Sequence, residues 1–302
     1  MGEVVRRAVL DTDIGSDVDD LLALTLLARA PEVHLIGVST VYGDTELRAR
    51  IARWTLDRLG RQDVAVVPGL GETTTGRDIW WPGHEGAGLA GLEGILVQEN
   101  LAAVDYLCQA ARDHAGALDL FAIGPLTNVA AALAADDAFA GNLHHLYVMG
   151  GAFWPERPEH NFICDPEAAD LVMRSGLPMS ICGLDVTKQV WMTEADLVTL
   201  DESNHPVGAA LADQVRRWWA VRAQTAGNPH DALAVLMPIR LELFQFERCN
   251  VTIVTEGPQT GRPVLSACGQ GEVAIATNVD AAAARQEILD RLLHHTATRP
   301  TL

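Results

Sequence analysis

From Val4 to Cys182, short β-rich apolar runs alternate with longer stretches of helical periodicity, and that alternation leaves few architectures open. Val4–Leu10, Val33–Val41, Val64–Val67, Leu118–Ile123, Leu146–Met149 and Met179–Cys182 read as strands; Leu21–Ala30, Leu47–Leu59, Asn128–Ala135 and Glu167–Ser175 read as helices. A strand that is apolar along its whole length needs cover on both faces. A chain that alternates such strands with helices therefore builds an α/β fold, an open and mostly parallel sheet flanked by helices. Three later stretches depart from the pattern. Residues 201–230 read as a helical excursion (Val207–Gln224) and a loop, Asn250–Thr277 as hairpin strands with Gly-Pro and Gly-Arg-Pro turns, and Ala281–His295 as a closing helix. No boundary or repeat divides the chain, so residues 1–302 are expected to form a single domain. Gly69–Gln98 is Gly- and Thr-rich with little periodicity, and a loop of that length inside a compact domain is usually functional or mobile.

The bulk chemistry excludes several classes. With 22 basic and 40 acidic residues the net charge is −18, which argues against a nucleic-acid polymer or an anionic membrane as partner. No run approaches the roughly 20 apolar residues of a membrane span, and the N-terminus lacks the pattern of a signal peptide. A cytoplasmic location is expected. The five cysteines, Cys108, Cys164, Cys182, Cys249 and Cys268, are scattered, odd in number and without a C-x-x-C, so they read as small buried hydrophobes rather than disulfide or zinc partners.

In open parallel sheets ligands gather beyond the carboxyl ends of the strands. There the chain places Asp11–Asp20, then Tyr42-Gly43-Asp44, then Gly124–Asn128, then Gly150-Gly151. The densest signal is Asp11-Thr-Asp13-Ile-Gly-Ser-Asp17-Val-Asp19-Asp20, five carboxylates within ten residues between a strand and a helix. A helix N-terminus favours an acid by about 0.3–1 kcal/mol, which accounts for one or two of them. Five repel one another unless a counter-charge intervenes, and an all-oxygen set suits a hard cation, Ca²⁺ or Mg²⁺. An over-capped, solvated helix start is the plainer alternative. An EF-hand is excluded, because its sixth and twelfth positions hold Ser16 and Leu22 rather than Gly and Glu. Asp11-Thr-Asp13 also loosely fits a Mg²⁺ phosphohydrolase of the haloacid dehalogenase type, which needs a later lysine; Lys188 is the only one.

Two distant pieces stand out. His230-Asp231 opens an apolar helical run stopped by Pro238, offering another oxygen ligand beside a proton donor. Glu159-His160-Asn161 offers groups for sugar hydroxyls, while Asp165 and Glu167 read as capping residues of the next helix. His84 is a lone loop histidine. Trp80, Trp81 and Trp154 lie in loops where stacking on a base and a structural role are comparable readings; Trp191, Trp218 and Trp219 read as core or interface.

DTDIGSDVDD, GPLTN, GGAF, PEHNFICDPEAA, GLDVT and HDALAV, in that order from residue 11 to about 236, resemble the nucleoside hydrolases of the inosine–uridine-preferring type. The resemblance implies a Rossmann-like open α/β core and a Ca²⁺ held by Asp13, Asp20, Asp231 and the backbone carbonyl of Ile123. It implies a small ribonucleoside as substrate and a homodimer or homotetramer as assembly. Asp13 corresponds to the general base and His230 to the donor that protonates the departing base. Asp19, Glu159, Asn161, His84 and Asp44 fall at or beside substrate-binding positions. The family's core motif reads Asp-x-Asp-x-Gly-x-Asp-Asp, and this chain carries two extra residues before Asp19-Asp20, so Asp17 also stands for the sugar-binding acid. Calcium would orient a water and lower its pKa while Asp13 takes the proton, and the leaving base needs an acid titrating near pH 7, for which His230 is the candidate. A non-catalytic ribose- or calcium-binding protein is the remaining alternative.

Overall fold

A computed structural model describes residues 6–97, 101–154, 156–203 and 205–293. Val4, Val5, Gln98, His294 and His295, which the expected elements included, lie outside the described residues. Nine strands form one sheet: β1 (Arg6–Thr12), β2 (Val33–Thr40), β3 (Ala65–Pro68), β4 (Leu118–Ala122), β5 (Leu143–Met149), β6 (Met179–Cys182), β7 (Phe244–Ile253), β8 (Pro263–Ser266) and β9 (Val273–Val279). Their order across the sheet is β3-β2-β1-β4-β5-β6-β9-β7-β8. All neighbours pair in parallel except at one edge, where β7 runs antiparallel to both β9 and β8.

The strands are apolar throughout because both faces are covered. On β1, Ala8 and Leu10 join a core that includes the helices Asp19–Arg29 and His230–Leu236, while Val9 points into a second core with Leu120, Ala122 and Val148. The chain winds β1-β2-β3 to one side, then starts again at β4 and winds the other way. This order reverses between β1 and β4, and a crevice opens at the carboxyl end of the sheet at such a point. The Asp11–Asp20 segment follows β1 and Gly124–Asn128 follows β4, so both border it.

Close packing there depends on two glycines. A Cβ on Gly124 would lie 2.7 Å from Asp13 Oδ1 and 2.9 Å from the Asp13 amide nitrogen. Gly15 turns the acidic segment at φ +114°, a backbone conformation that side-chain-bearing residues rarely adopt, with Ile51 Cδ1 at 2.8 Å from where its Cβ would stand.

One expectation is overturned. Cys249 and Cys268 are joined in a disulfide, with Cα atoms 4.1 Å apart across a sequence separation of 19. Sequence spacing could not show this, because the register of β7 with β9 and the turn at 267–271 bring the two together. Cys108, Cys164 and Cys182 are free and buried, as expected. No helix among the described residues is long and apolar enough to cross a membrane.

Candidate active site

The acidic segment is held from behind by a residue that sequence reading passed over. Arg48, on the helix Thr45–Arg58, is fully buried. Its guanidinium donates to the carbonyls of Tyr42 (2.7 Å), Ile14 (3.0 Å) and Asp13, and to Ser16 Oγ (3.0 Å). Trp81 lies against it, with the ring centroid 4.9 Å from Arg48 Cζ. Tyr42 reaches its place at φ 69°, which turns its carbonyl to the arginine. One buried cation thus ties together the loops after β1 and β2.

On the other side of this segment the carboxylates converge. Asp13, Asp19, Asp20 and Asp231 are all buried. Asp19, Asp20 and Asp231 each bring one carboxylate oxygen within 4.8 Å of the others. The apolar face of His230–Leu236 packs with Asp19–Arg29 in one core, and the Asp231 amide donates to Asp19 Oδ2 at 3.3 Å. Thr12 donates its hydroxyl to Asp20. Asp13 borders the group, close against Gly124. Asp19 therefore shares the centre with Asp20 and Asp231; Asp17 is less buried and accepts the Val18 amide at 2.6 Å.

Packing these groups together has an electrostatic cost that their pKa values record. Burial first, and then the neighbouring acids, raise Asp19, Asp20 and Asp231 well above the usual carboxylate range. Burial pushes Asp17 up to about 7, helped by the charges of Asp20 and Asp13. It does the same to Asp11, also up to about 7, against hydrogen bonds from Ser39 Oγ (2.6 Å) and Asn128 Nδ2 (2.8 Å) to Oδ1. Asp11 Oδ2 is buried without a hydrogen-bond partner among the described residues. Buried carboxylates crowded in this way suit a hard divalent cation. The donor set of Asp19, Asp20 and Asp231 is all oxygen, and a bound cation removes the repulsion.

A cavity of about 840 Å³ opens above the cluster and is lined by Asp13, Asp17, Asp19, Asp20, Ile123, Glu159, Asn161, His230 and Asp231, among others. Asn161 Nδ2 donates to the Ile123 carbonyl at 2.8 Å and to the Met149 carbonyl at 3.2 Å, which holds the ends of two neighbouring strands together at the cavity. Glu159 caps the helix His160–Cys164, accepting from the amides of Asn161 (3.0 Å), Phe162 (3.3 Å) and Gly151 (2.9 Å). His230 Nδ1 lies 2.7 Å from the Thr187 hydroxyl. Burial, with the charge of Lys188, lowers the His230 pKa to about 4, so the imidazole is neutral at pH 7. That differs from an acid titrating near neutrality, and the reason is desolvation of a side chain set into the cavity wall.

Two residues expected at the substrate, Asp44 and His84, do not line the main cavity. Asp44 is exposed and caps the helix Thr45–Arg58 by accepting the Leu47 amide at 2.9 Å. His84 borders an adjoining depression of about 280 Å³ that shares Ser16, Asp17, Val18 and Trp218 with the main cavity; its Nε2 donates to the Ser16 carbonyl at 2.8 Å and its ring meets Trp218. The tryptophans also divide differently from expectation. Trp80, Trp191, Trp218 and Trp219 line the main cavity, while Trp81 supports Arg48.

The long loop is anchored rather than free. Asp165 caps its helix through the Ala168 amide, as read from the sequence, but its other oxygen takes the Thr74 amide (2.7 Å), the Thr74 hydroxyl (2.8 Å) and the Thr127 hydroxyl (2.8 Å). Arg77 pairs with Glu167 and donates to the Thr255 carbonyl at 2.7 Å. These ties bring Arg77, Asp78 and Trp80 to the cavity.

Solved structures share this mostly parallel α/β fold. A plant nucleoside hydrolase, the PpNRh1 enzyme, superposes with a TM-score of 0.87 at 26% identity, covering 96% of this chain and 99% of that one. The purine-preferring ribonucleoside hydrolase from Gardnerella vaginalis superposes with a TM-score of 0.83 at 28% identity, covering 95% and 98%. Among curated proteins, the probable uridine nucleosidase 1 of Oryza sativa subsp. japonica is 30% identical over 86% of this chain and 84% of its own length. The pyrimidine-specific ribonucleoside hydrolase RihA of Shewanella baltica is 29% identical over 85% of each. The family model of the inosine-uridine preferring nucleoside hydrolases matches residues 8–286. The chain belongs to that family, and its reaction class is N-glycosidic hydrolysis of nucleosides.

Proposed function

We propose that this enzyme hydrolyses ribonucleosides to ribose and free base with Ca²⁺ held by Asp13, Asp20, Asp231 and the Ile123 carbonyl. The observation that carries the reading is the meeting of Asp231 with Asp19 and Asp20, at a sequence separation of 212 between Asp19 and Asp231, beside the cavity. When bound, the cation supplies charge compensation, coordination of a sugar diol and acidification of water. Asp13 takes the proton from the water that attacks C1′. Asp19 and Asn161 orient the ribose hydroxyls, and Glu159 closes the sugar end. His230 faces the departing base as a neutral imidazole. With the Thr187 hydroxyl donating to Nδ1, the other nitrogen carries a proton to offer. The bond broken passes through an oxocarbenium-like state, so the reaction needs all three tasks in one place. The −18 charge and a cavity of this size favour a small neutral substrate over a polymer. The expected setting remains a cytoplasmic homodimer or homotetramer.

Inosine, uridine and a generic phosphate ester, each assayed for free ribose or phosphate, test the reading. Ribose release from the nucleosides supports it. Phosphate release would favour the dehalogenase-type alternative, which family membership disfavours. Tight ribose binding without base release would favour a non-catalytic binder.

Chelation is expected to abolish turnover and calcium to restore it. Because Asp17 is pushed up to about 7, and Asp19, Asp20 and Asp231 are raised too, cation binding must displace protons. Deprotonated carboxylates are the ligands, so affinity falls as pH drops through about 7 toward 5, by about tenfold per pH unit for each proton displaced. Calorimetric titration of calcium into the cation-free protein at pH 6 and pH 8 measures this; equal affinity at both would sink the idea.

His230→Ala is expected to lose about 10²–10⁴-fold in kcat on inosine and uridine. It should cleave 4-nitrophenyl riboside nearly as fast as wild type, since nitrophenolate leaves without a proton. A parallel loss on both substrates would move His230 from leaving-group assistance to sugar binding.

A further inference from the structure

We propose that Lys188 selects the leaving base, its ammonium donating a hydrogen bond to a ring-carbonyl oxygen of a lactam base such as uracil or hypoxanthine. The inference rests on the nucleoside-hydrolysis reading above and adds a specificity residue to it. Lys188 is the only lysine among the 22 basic residues of the chain, and it is an exposed residue lining the cavity. Arginines make nearly all of the ion pairs, and among the described residues Lys188 makes none. A lone ammonium on a cavity wall is available to a ligand.

Its position assigns it to the base. Lys188 ends the turn Leu184–Thr187, its amide donating to the carbonyls of Leu184 and Val186. The preceding residue, Thr187, holds His230 through Nδ1 at 2.7 Å. Asn228 Nδ2 donates to the carbonyls of Lys188 (3.4 Å) and Val190 (2.6 Å), which stitches this turn to the segment leading into His230. Lys188 and His230 therefore share one wall, while the carboxylate cluster receives the sugar diol. Partial desolvation and the charge of Arg157 draw the Lys188 pKa below that of a free lysine, while the charges of Asp185 and Glu159 act the other way.

A lactam base gains from a cation there. Cleavage leaves the C1′–N electron pair on the base, where a lactam spreads it onto the ring-carbonyl oxygen. Water supplies the hydroxyl to C1′, and the base ends neutral after gaining one proton. A charge that grows during the reaction is stabilised best by a donor already in place. An ammonium has three donors and no acceptor, so it pairs with C=O and mismatches the amino group that cytosine or adenine carries at the same edge.

The test compares wild type, Lys188→Met and Lys188→Arg on uridine, inosine, cytidine, adenosine and 4-nitrophenyl riboside. Lys188→Met is expected to lose about 10- to 100-fold in kcat/KM on uridine and inosine, the worth of one hydrogen bond to a charged group. Cytidine, adenosine and 4-nitrophenyl riboside should change by no more than about threefold, and Lys188→Arg should retain most of the preference. An equal loss on all five substrates would make Lys188 a sugar contact or a structural residue and overturn the assignment. An unchanged base preference in Lys188→Met would overturn it as well. Wild-type turnover of none of the five would overturn the function itself, and the Lys188 assignment with it.

Discussion

Asp13→Asn is expected to cut kcat on inosine and uridine by about 10²–10⁴-fold at saturating calcium, the usual worth of a positioned general base. Asparagine keeps the shape of the side chain, so the close contact with Gly124 and the bond from Arg48 to the Asp13 carbonyl survive. What it removes is the capacity to accept a proton from water. Two roles are proposed for Asp13, and the variant separates them. If the carboxylate served only as a cation ligand, the variant would need more calcium and regain full turnover once calcium saturates. If it is the base, the deficit persists at any calcium concentration, and KM for the nucleoside changes little. Calcium titrations of activity, run beside a calorimetric measure of calcium binding, give both numbers. Full recovery of kcat at high calcium would move the base elsewhere in the acidic segment. Asp17 is then the first candidate, because it lines the same cavity.

The sheet was legible because its strands are continuous apolar runs. Met179–Cys182 lies where the residues predict it, and Asp19–Arg29 begins two residues before the expected start. The helix Ala103–Asp113 was not read, and neither was the joining of the C-terminal strands to the central sheet through β9 and β6. Hairpin signals show local pairing, whereas the attachment of β9 is a long-range contact that no local pattern carries. The acidic cluster was legible for a different reason. Acids that repel one another, far beyond what helix capping uses, announce a counter-charge wherever they stand. Asp19 rather than Asp17 at its centre required the structure, since two extra residues make both plausible by spacing. His84 and Asp44 show the converse limit, because a polar residue in a long loop or just after a strand can face the back of the acidic segment or the solvent.

Arg48 is the clearest case of a residue the sequence conceals. It sits among Arg50, Arg53 and Arg58 on one helix and reads as one more solvated charge, yet it is the residue buried completely. Its burial follows from tertiary folding: the Asp11–Val18 segment closes over it, and its donors replace water on three carbonyls and one hydroxyl. Its charge also lowers the pKa of Asp20 against the stronger pull of burial. Arg48→Met therefore strands acceptors and removes a counter-charge at once. The expected loss is about 3–5 kcal/mol of unfolding free energy, since several buried acceptors lose their donor together at about 1–3 kcal/mol each, partly offset by relaxation. Arg48→Lys should recover little of it, since one ammonium cannot span acceptors arranged around a planar fork. Both variants should regain part of the stability in excess calcium, because a cation bound only to the folded state shifts the equilibrium by mass action. Urea unfolding of the three proteins, with chelator and with calcium, reads all of these effects. Wild-type stability in Arg48→Met under chelation would show that protons already neutralise the acids, leaving the arginine no electrostatic part in holding the segment.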